Sequence, residues 1–365
     1  MSIQKTKHLT RVINTRGTFT PLGVSRSSEY VGKSVSEALG RYFIIEELQA
    51  LASTSVSRLS GAEAATITHC TAGSITVAIA ATMTGSNPEK IAALPDTSGM
   101  KDGVVIPSQH CVSYGHSIMQ AIRLSGARPV VAGVDGKCSL REIEQEVSTG
   151  NITCLLLVSS KLTNGTEIDL KSAVEMAHRY NVPVIIDGAA QDFRIQELID
   201  TGADLVLVSA QKYLAAPTAG IVAGKEELVQ AVRAQEKGIG RAMKATKEAI
   251  IGVLAAVEER NTLDMKQWIR SQKMKVERFV TEANKLPAVT AFSIPDPTGL
   301  PFSRAHIQFE EPQMAVDLVQ KLKDGDPSIW VIDQNAPEGE LAFELVQTTK
   351  EEIDEVLTKI QENLA

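Results

Sequence analysis

The chain has 365 residues, 43% of them apolar and 22% charged, with a net charge of −7. That length exceeds one comfortable hydrophobic core, so two domains of unequal size are expected. The acidic balance argues against a surface that wraps nucleic acid. No apolar run is long enough to span a bilayer, and the opening MSIQKTKHLTRVINTRG lacks the apolar stretch of a secretory signal. Cys70, Cys111, Cys138 and Cys154 have neither C-x-x-C nor zinc-ligand spacing, and they read as reduced thiols of a cytoplasmic protein.

The first sixty residues are polar and turn-rich, as in TRGTFTPLGVSRSS, with a helix expected over 34–53. From Thr66 the pattern alternates. The strand-like ATITHC precedes an alanine-rich helix over 74–84. VVIPS, PVVAGV and TCLLLVSS follow, separated by helices over 117–125 and 139–146. A helix over 171–180 leads to a strand over 182–187, then a helix over 195–201 and a strand over 204–209. This alternation indicates βαβ units and a mostly parallel sheet. A strand over 220–223 comes without an intervening helix and reads as antiparallel. Helices over 246–260 and 265–285 lead out of this region, and from about residue 266 the rhythm becomes that of a compact α+β domain.

The densest signal runs from Val184 to Gly224, VIIDGAAQDFRIQELIDTGADLVLVSAQKYLAAPTAGIVAG. One apolar run closes on Asp187, and a second leads through Ser209 to Lys212. Two buried parallel strands would set Asp187 and Lys212 at neighbouring carboxyl ends, where open α/β sheets do their chemistry. A carboxylate and an amine held there suit pyridoxal 5′-phosphate. The lysine joins the aldehyde, and the aspartate pairs with the pyridinium nitrogen. Alone, a lysine after a strand is a solvated loop residue, and Asp187 is also readable as a helix N-cap. The apolar strand before Asp187 suggests a buried carboxylate that needs a cationic partner, and the small residues 215–220 give a planar cofactor room.

Thr71-Ala-Gly-Ser74 reads either as a plain turn with a helix cap or as a phosphate seat. In the second reading the amides of Ala72 and Gly73 and the Ser209 hydroxyl meet the phosphate. His110 is either a structural residue or a flat ring covering the cofactor. The spacing of His110, Cys111 and His116 fits no common ligand set, so no metal is expected. Neither a Walker motif nor G-x-G-x-x-G is present.

Several ordered segments carry a family resemblance: Val12-Ile-Asn-Thr-Arg-Gly-Thr18 with Leu22-Gly23, His110 with Tyr114-Gly-His116, and Asp187-Gly-Ala-Ala-Gln191. Ser209-Ala-Gln-Lys212 with Ala-Gly-Ile221, and Gly238-Ile-Gly-Arg241 through Lys247-Glu248, complete the set. On these the chain resembles, over nearly its whole length, the fold-type I pyridoxal-phosphate enzymes of the aspartate aminotransferase superfamily. More narrowly, it is similar to the branch related to bacterial selenocysteine synthase, and within it to D-glucosaminate-6-phosphate ammonia-lyase-like proteins.

The resemblance implies an α/β large domain with a mostly parallel sheet and a small α+β domain. Residues 1–60 would form an N-terminal arm and helix contributing to the small domain and an interface, 61–265 the cofactor-binding domain, and 266–365 the C-terminal small domain. It also implies that Lys212 is the Schiff-base lysine, that Asp187 pairs with the ring nitrogen, and that Ala189 and His110 lie on the two ring faces. Ala72, Gly73 and Ser209 would hold the phosphate. Many relatives place a polar residue three positions after the aspartate, whereas Ala190 stands here, so the contact to the cofactor 3′-oxygen is unassigned.

The expected reaction is elimination of ammonia, and water, from a polar hydroxylated amino acid or amino-sugar acid, with or without a phosphate, to give a 2-oxo acid. Arg16, Arg241 and Lys244 are candidates for a distal phosphate or carboxylate, though each is by default a surface cation. Arg304 is the candidate for the substrate carboxylate, because a guanidinium grips one bidentately. A transferase on aminoacyl-tRNA is the alternative, disfavoured by the acidic charge and the lack of a long basic N-terminal segment. Racemisation, epimerisation or transamination would use the same residues, and a non-catalytic relative would be expected to lack the lysine or the aspartate. The polar Asn14–Gly17 arm is expected to pack across the interface of a homodimer or higher homo-oligomer.

Overall fold

The computed structural model of the chain describes residues 9–364, and the first eight residues of the expected arm lie outside them. The chain parts into two units. The small one runs through Arg26 and resumes at Leu263, and the large one is Ser27–Thr262. A short strand, β1 (Val12–Asn14), opens the small unit.

The large unit is built on seven strands: β2 (Ala64–Thr68), β3 (Gly103–Pro107), β4 (Arg128–Ala132), β5 (Ile152–Val158), β6 (Val184–Asp187), β7 (Leu205–Ser209) and β8 (Gly220–Gly224). Their order across the sheet is β2-β8-β7-β6-β5-β3-β4. Strands β3 to β7 are mutually parallel, and β8 runs antiparallel to both β7 and β2, as the missing crossover helix predicts. The inner strands read as continuous apolar runs because helices cover both faces. Val104, Ile106, Leu156 and Leu207 pack beneath helices Thr71–Thr84, Ile118–Leu124 and Glu226–Ala234. Val105, Leu155, Leu157, Ile186 and Val206 pack on the other side, against helices that include Ile45–Ser60, Leu170–His178 and Lys247–Thr262.

The single helix expected over 34–53 is two helices, Glu29–Leu39 and Ile45–Ser60, because the chain leaves helical geometry at Gly40. Ser28 caps the first by accepting from Val31 N–H at 3.1 Å. Both belong to the large unit, where Tyr30 Oη donates to Glu258 at 2.6 Å and Ser28 Oγ to Glu259 at 2.8 Å.

In the small unit, β9 (Val289–Pro295), β10 (Ser303–Phe309) and β12 (Glu340–Phe343) form an antiparallel sheet in the order β12-β10-β9. Strand β11 (Ser328–Trp330) pairs in parallel with β1. Helices Met265–Ala283, Pro312–Asp324 and Lys350–Leu364 close the core around Phe279, Ile307 and Phe343. The arm has its own anchorage here. Ile13 is buried in this core, Thr15 N–H donates to the Trp330 carbonyl at 2.9 Å, and Glu344 N–H donates to the Thr15 carbonyl at 2.8 Å. Main-chain pairing supplies what the arm's few apolar side chains do not.

Candidate active site

Strand register collects most of the expected residues along one edge of the large sheet. Val158, Asp187 and Leu207 are neighbours across β5, β6 and β7. Ser209, at the end of β7, faces Gly220 of β8, which faces Thr68 of β2. The turns after β6 and β7 are tied together. Ala189 donates its N–H to Asp187 Oδ1 at 3.1 Å, and its carbonyl accepts the Ser209 N–H at 3.0 Å. Lys212 N–H then bonds back to the Ser209 carbonyl at 3.3 Å, closing one tight turn beyond β7.

Asp187 is 5% exposed. Burial pushes its carboxyl up to about 6, against the attraction of Lys212 and the bond from Ala189. Burial likewise holds the Lys212 ammonium below its ordinary range, opposed by Asp187 and Asp192 and reinforced by Lys161. Each group makes the other's charged form tolerable. His110 is buried at the end of the single turn Ser108–His110 that follows β3, and its Nδ1 accepts the Val158 N–H at 3.1 Å. Burial lowers the ring's pKa to about 4, so it is neutral at pH 7.

At the β2 side of the same edge, helix Thr71–Thr84 begins two residues after the strand ends. Cys70 caps it, Sγ accepting from Gly73 N–H at 3.5 Å. A Cβ on Gly220 would stand 2.3 Å from Ser74 Oγ and 2.6 Å from Thr68 Oγ1, so only glycine lets β8 meet this helix end. The segment Ile239–Met243 crosses here: His69 N–H donates to the Met243 carbonyl at 2.8 Å, and Lys244 bridges Thr68. Arg241 and Lys244 are therefore exposed cations on the strap beside the helix N-terminus. Glu236 lies within their fields; burial raises its carboxyl against the pull of Arg233, Lys244 and Arg241.

Two hydroxyls at this edge are buried without a hydrogen-bond partner: Thr71 Oγ1 in the first helical turn, and Tyr114 Oη. Burial holds the Tyr114 hydroxyl in its protonated form, and Asp187 and Cys70 add to the effect. A carboxylate for a ring nitrogen, an amine, a neutral flat ring and an unpartnered hydroxyl at a helix N-terminus fit a phosphorylated pyridine aldehyde. Tyr114, Thr71 and Asp192 were not assigned site roles from the sequence. Tyr114 stands inside a quoted motif, and a buried hydroxyl needs a partner, which is the signal that would have marked it.

Two expected residues belong to the small unit. Arg16 is ion-paired with Asp333 at 2.6 Å, donates to the Val331 carbonyl at 2.9 Å and lies over Phe19. Arg304 corrects the expectation that it grips a substrate carboxylate. It is buried, and its guanidinium is shared between Asp296 at 2.7 Å and Glu344 at 2.9 Å. Two carboxylates already neutralise its charge and occupy its fork.

A family model described as beta-eliminating lyase matches residues 48–293. A D-glucosaminate-6-phosphate ammonia lyase from Salmonella typhimurium (strain 14028s / SGSC 2262) is 33% identical over 68% of this chain and 68% of its own length. A 5′-C-glycyluridine monooxygenase-decarboxylase from a Streptomyces species is 27% identical over 97% of this chain and 90% of its own. A solved structure of D-glucosaminate-6-phosphate ammonia-lyase superposes with a TM-score of 0.88 at 27% identity, covering 100% of this chain and 98% of that one.

Proposed function

The chain belongs to the beta-eliminating lyase family of fold-type I, pyridoxal-phosphate-dependent enzymes, and from that premise we propose that it is an ammonia-lyase acting on a phosphorylated amino-sugar acid of the D-glucosaminate 6-phosphate class. The observation that carries the reading is one sheet edge holding Asp187, Lys212 and a helix N-terminus with an unpartnered hydroxyl.

When bound, the cofactor supplies an electron sink for the pair left at the substrate Cα. The Asp187 carboxylate keeps the ring nitrogen protonated. Lys212 Nζ would carry the cofactor, and its free amine would take the substrate Cα proton. The neutral His110 ring and Ala189 would hold the cofactor ring between them. The amides of Ala72 and Gly73, with the hydroxyls of Thr71 and Ser209, hold the cofactor phosphate. Arg241 and Lys244, on an exposed strap, meet the distal phosphate of the substrate. The protein works as a cytoplasmic homo-oligomer.

The test offers purified protein D-glucosaminate 6-phosphate, D-glucosaminate and serine. 2-Oxo acid and ammonia should appear in equal amounts, fastest from the phosphorylated sugar acid and without oxygen uptake. Turnover of serine alone would remove the substrate class. The match to the Streptomyces enzyme over 97% of the chain favours a second reading, oxidative decarboxylation. Oxygen uptake matched by carbon dioxide release would support that one instead.

A further inference from the structure

The loop that carries Lys212 is held from behind by one helix. Beyond β7 it closes on itself: Ala215 N–H donates to the Lys212 carbonyl at 3.1 Å, Ala216 N–H to the Ala210 carbonyl at 2.9 Å, and Ala210 N–H to the Ala219 carbonyl at 3.0 Å. Ala215 takes a φ of 56°, in the left-handed region that alanine seldom adopts, so the loop keeps this shape only where its neighbours impose it. Helix Lys247–Thr262 imposes it at two points. At Gly252 the helix lies so close that an added Cβ would stand 2.4 Å from Pro217 Cδ. Further along it, Arg260 Nη2 donates to the Tyr213 carbonyl at 3.0 Å and to Asp192 Oδ2, in the turn after β6, at 2.9 Å. One nitrogen therefore joins the residue that follows Lys212 to the turn that follows Asp187. The Arg260 and Asp192 side chains are 9% and 4% exposed, and the guanidinium carbon sits 3.8 Å from the centre of the Phe193 ring.

We propose that Arg260 is a positioning residue, which holds the Lys212 turn at a fixed place relative to the Asp187 turn. The inference rests on Lys212 being the cofactor lysine. A buried ion pair adds little stability over apolar side chains of the same volume, whereas its hydrogen bonds are directional. Position is therefore what this pair contributes. Lys212 Nζ has to meet the cofactor aldehyde and, when free, the substrate Cα proton, and such a transfer tolerates little misplacement. Arg260 acts on it through the Tyr213 carbonyl and Asp192, not on the reacting atoms.

The experiment compares the wild type with the double variant Arg260→Met with Asp192→Asn, which leaves neither charge of the pair buried, and with Arg260→Lys. Amide hydrogen exchange is followed in the cofactor-free chain, and kcat and KM in the holoenzyme. In the double variant residues 210–216 should exchange faster by about tenfold, while β5 and β6 exchange as in the wild type. kcat should fall by roughly tenfold to a hundredfold, with KM held within about twofold. Arg260→Lys keeps a charge opposite Asp192 on a shorter side chain without the planar fork, and kcat should fall there too. A double variant with wild-type kcat overturns the proposal. Exchange that quickens equally throughout the large unit also overturns it, because the pair would then be general support. If the double variant does not fold, an Arg260→Lys enzyme with wild-type kcat overturns the proposal. If neither variant folds, the pair is scaffolding and the proposal falls. Borohydride labelling of a lysine other than Lys212 in the wild type would instead fail the reading of Lys212 itself.

Discussion

Val158 donates its backbone N–H to Nδ1 of His110 at 3.1 Å, from the strand position that pairs with Asp187. One bond therefore fixes the ring against the strand next to the one that ends at Asp187, and it assigns the remaining proton of the neutral imidazole to Nε2. A ring held neutral this way adds no positive charge to compete with Lys212 for Asp187.

His110→Phe keeps a flat ring but leaves the Val158 amide without its acceptor, at a cost of about 1–3 kcal/mol. The pH dependence carries a second sign. The folded-state value of His110, about 4, lies below the unfolded value near 6.5, so the unfolded chain binds more protons between them. Wild-type stability is fully present above about 6.5 and falls as pH drops towards 4. The phenylalanine variant lacks this loss, so its deficit in urea unfolding should shrink between pH 7 and pH 5. A deficit independent of pH would mean that His110 titrates normally.

Asp187→Asn separates folding from catalysis. In cofactor-free protein the folded carboxyl sits at about 6, above its unfolded value, so the folded state favours the protonated form. The cost of ionising it grows as pH rises through that window and is complete above it. The asparagine variant avoids this cost and retains an oxygen for the Ala189 N–H. Without cofactor it should melt higher than wild type at pH 8 and equally at pH 4. Turnover should fall by two orders of magnitude or more, roughly, since an amide cannot hold the ring nitrogen protonated. Normal turnover would make Asp187 a packing residue.

Gly220→Ala tests the phosphate seat by shape. The added Cβ would overlap Ser74 Oγ, Thr68 Oγ1 and the Cys70 carbonyl carbon, so helix Thr71–Thr84 must move off β8. Cofactor affinity should drop by about tenfold or more, roughly the loss of a charge-assisted hydrogen bond, while the spectrum of the saturated protein stays unchanged. Equilibrium dialysis reads the affinity. Unaltered binding would place the phosphate elsewhere.

The large sheet was legible because strands buried on both faces read as unbroken apolar runs, as in LLLV of β5 and VII of β6. The places of Asp187 and Lys212 at the carboxyl ends of neighbouring strands were legible because Asp187 closes one such run and Lys212 follows the end of the next by three residues. The break at Gly40 was missed, since one glycine in a helix-forming stretch is weak punctuation. Strand β1 was hidden because its partner β11 lies at the far end of the sequence. Arg304 was misread for the same reason: Asp296 and Glu344 reach it only after β10 has formed its pairs. Arg260, late on a helix ending EERNT, reads as a surface cation until the fold sets it against Asp192.

The assembly is testable from a surface on the large unit. Leu39, Tyr42, Ile44 and Leu51 are exposed around the break between the first two helices, and Tyr42 is 102% exposed. Apolar side chains gathered over so short a segment mark an interaction site more often than a solvated face. A second copy of the chain is the partner that the proposed homo-oligomer supplies, through a closed symmetric contact. Light scattering should give a mass of at least twice 39.2 kDa. Tyr42→Glu combined with Ile44→Glu should lower that mass to the monomer's, because each carboxylate would have to be buried unpaired in the contact. The far-ultraviolet spectrum should be unchanged, since neither residue lies in the core. A wild-type monomer with full turnover would exclude sites shared between subunits. A double variant that stays oligomeric would move the interface to another face of the chain.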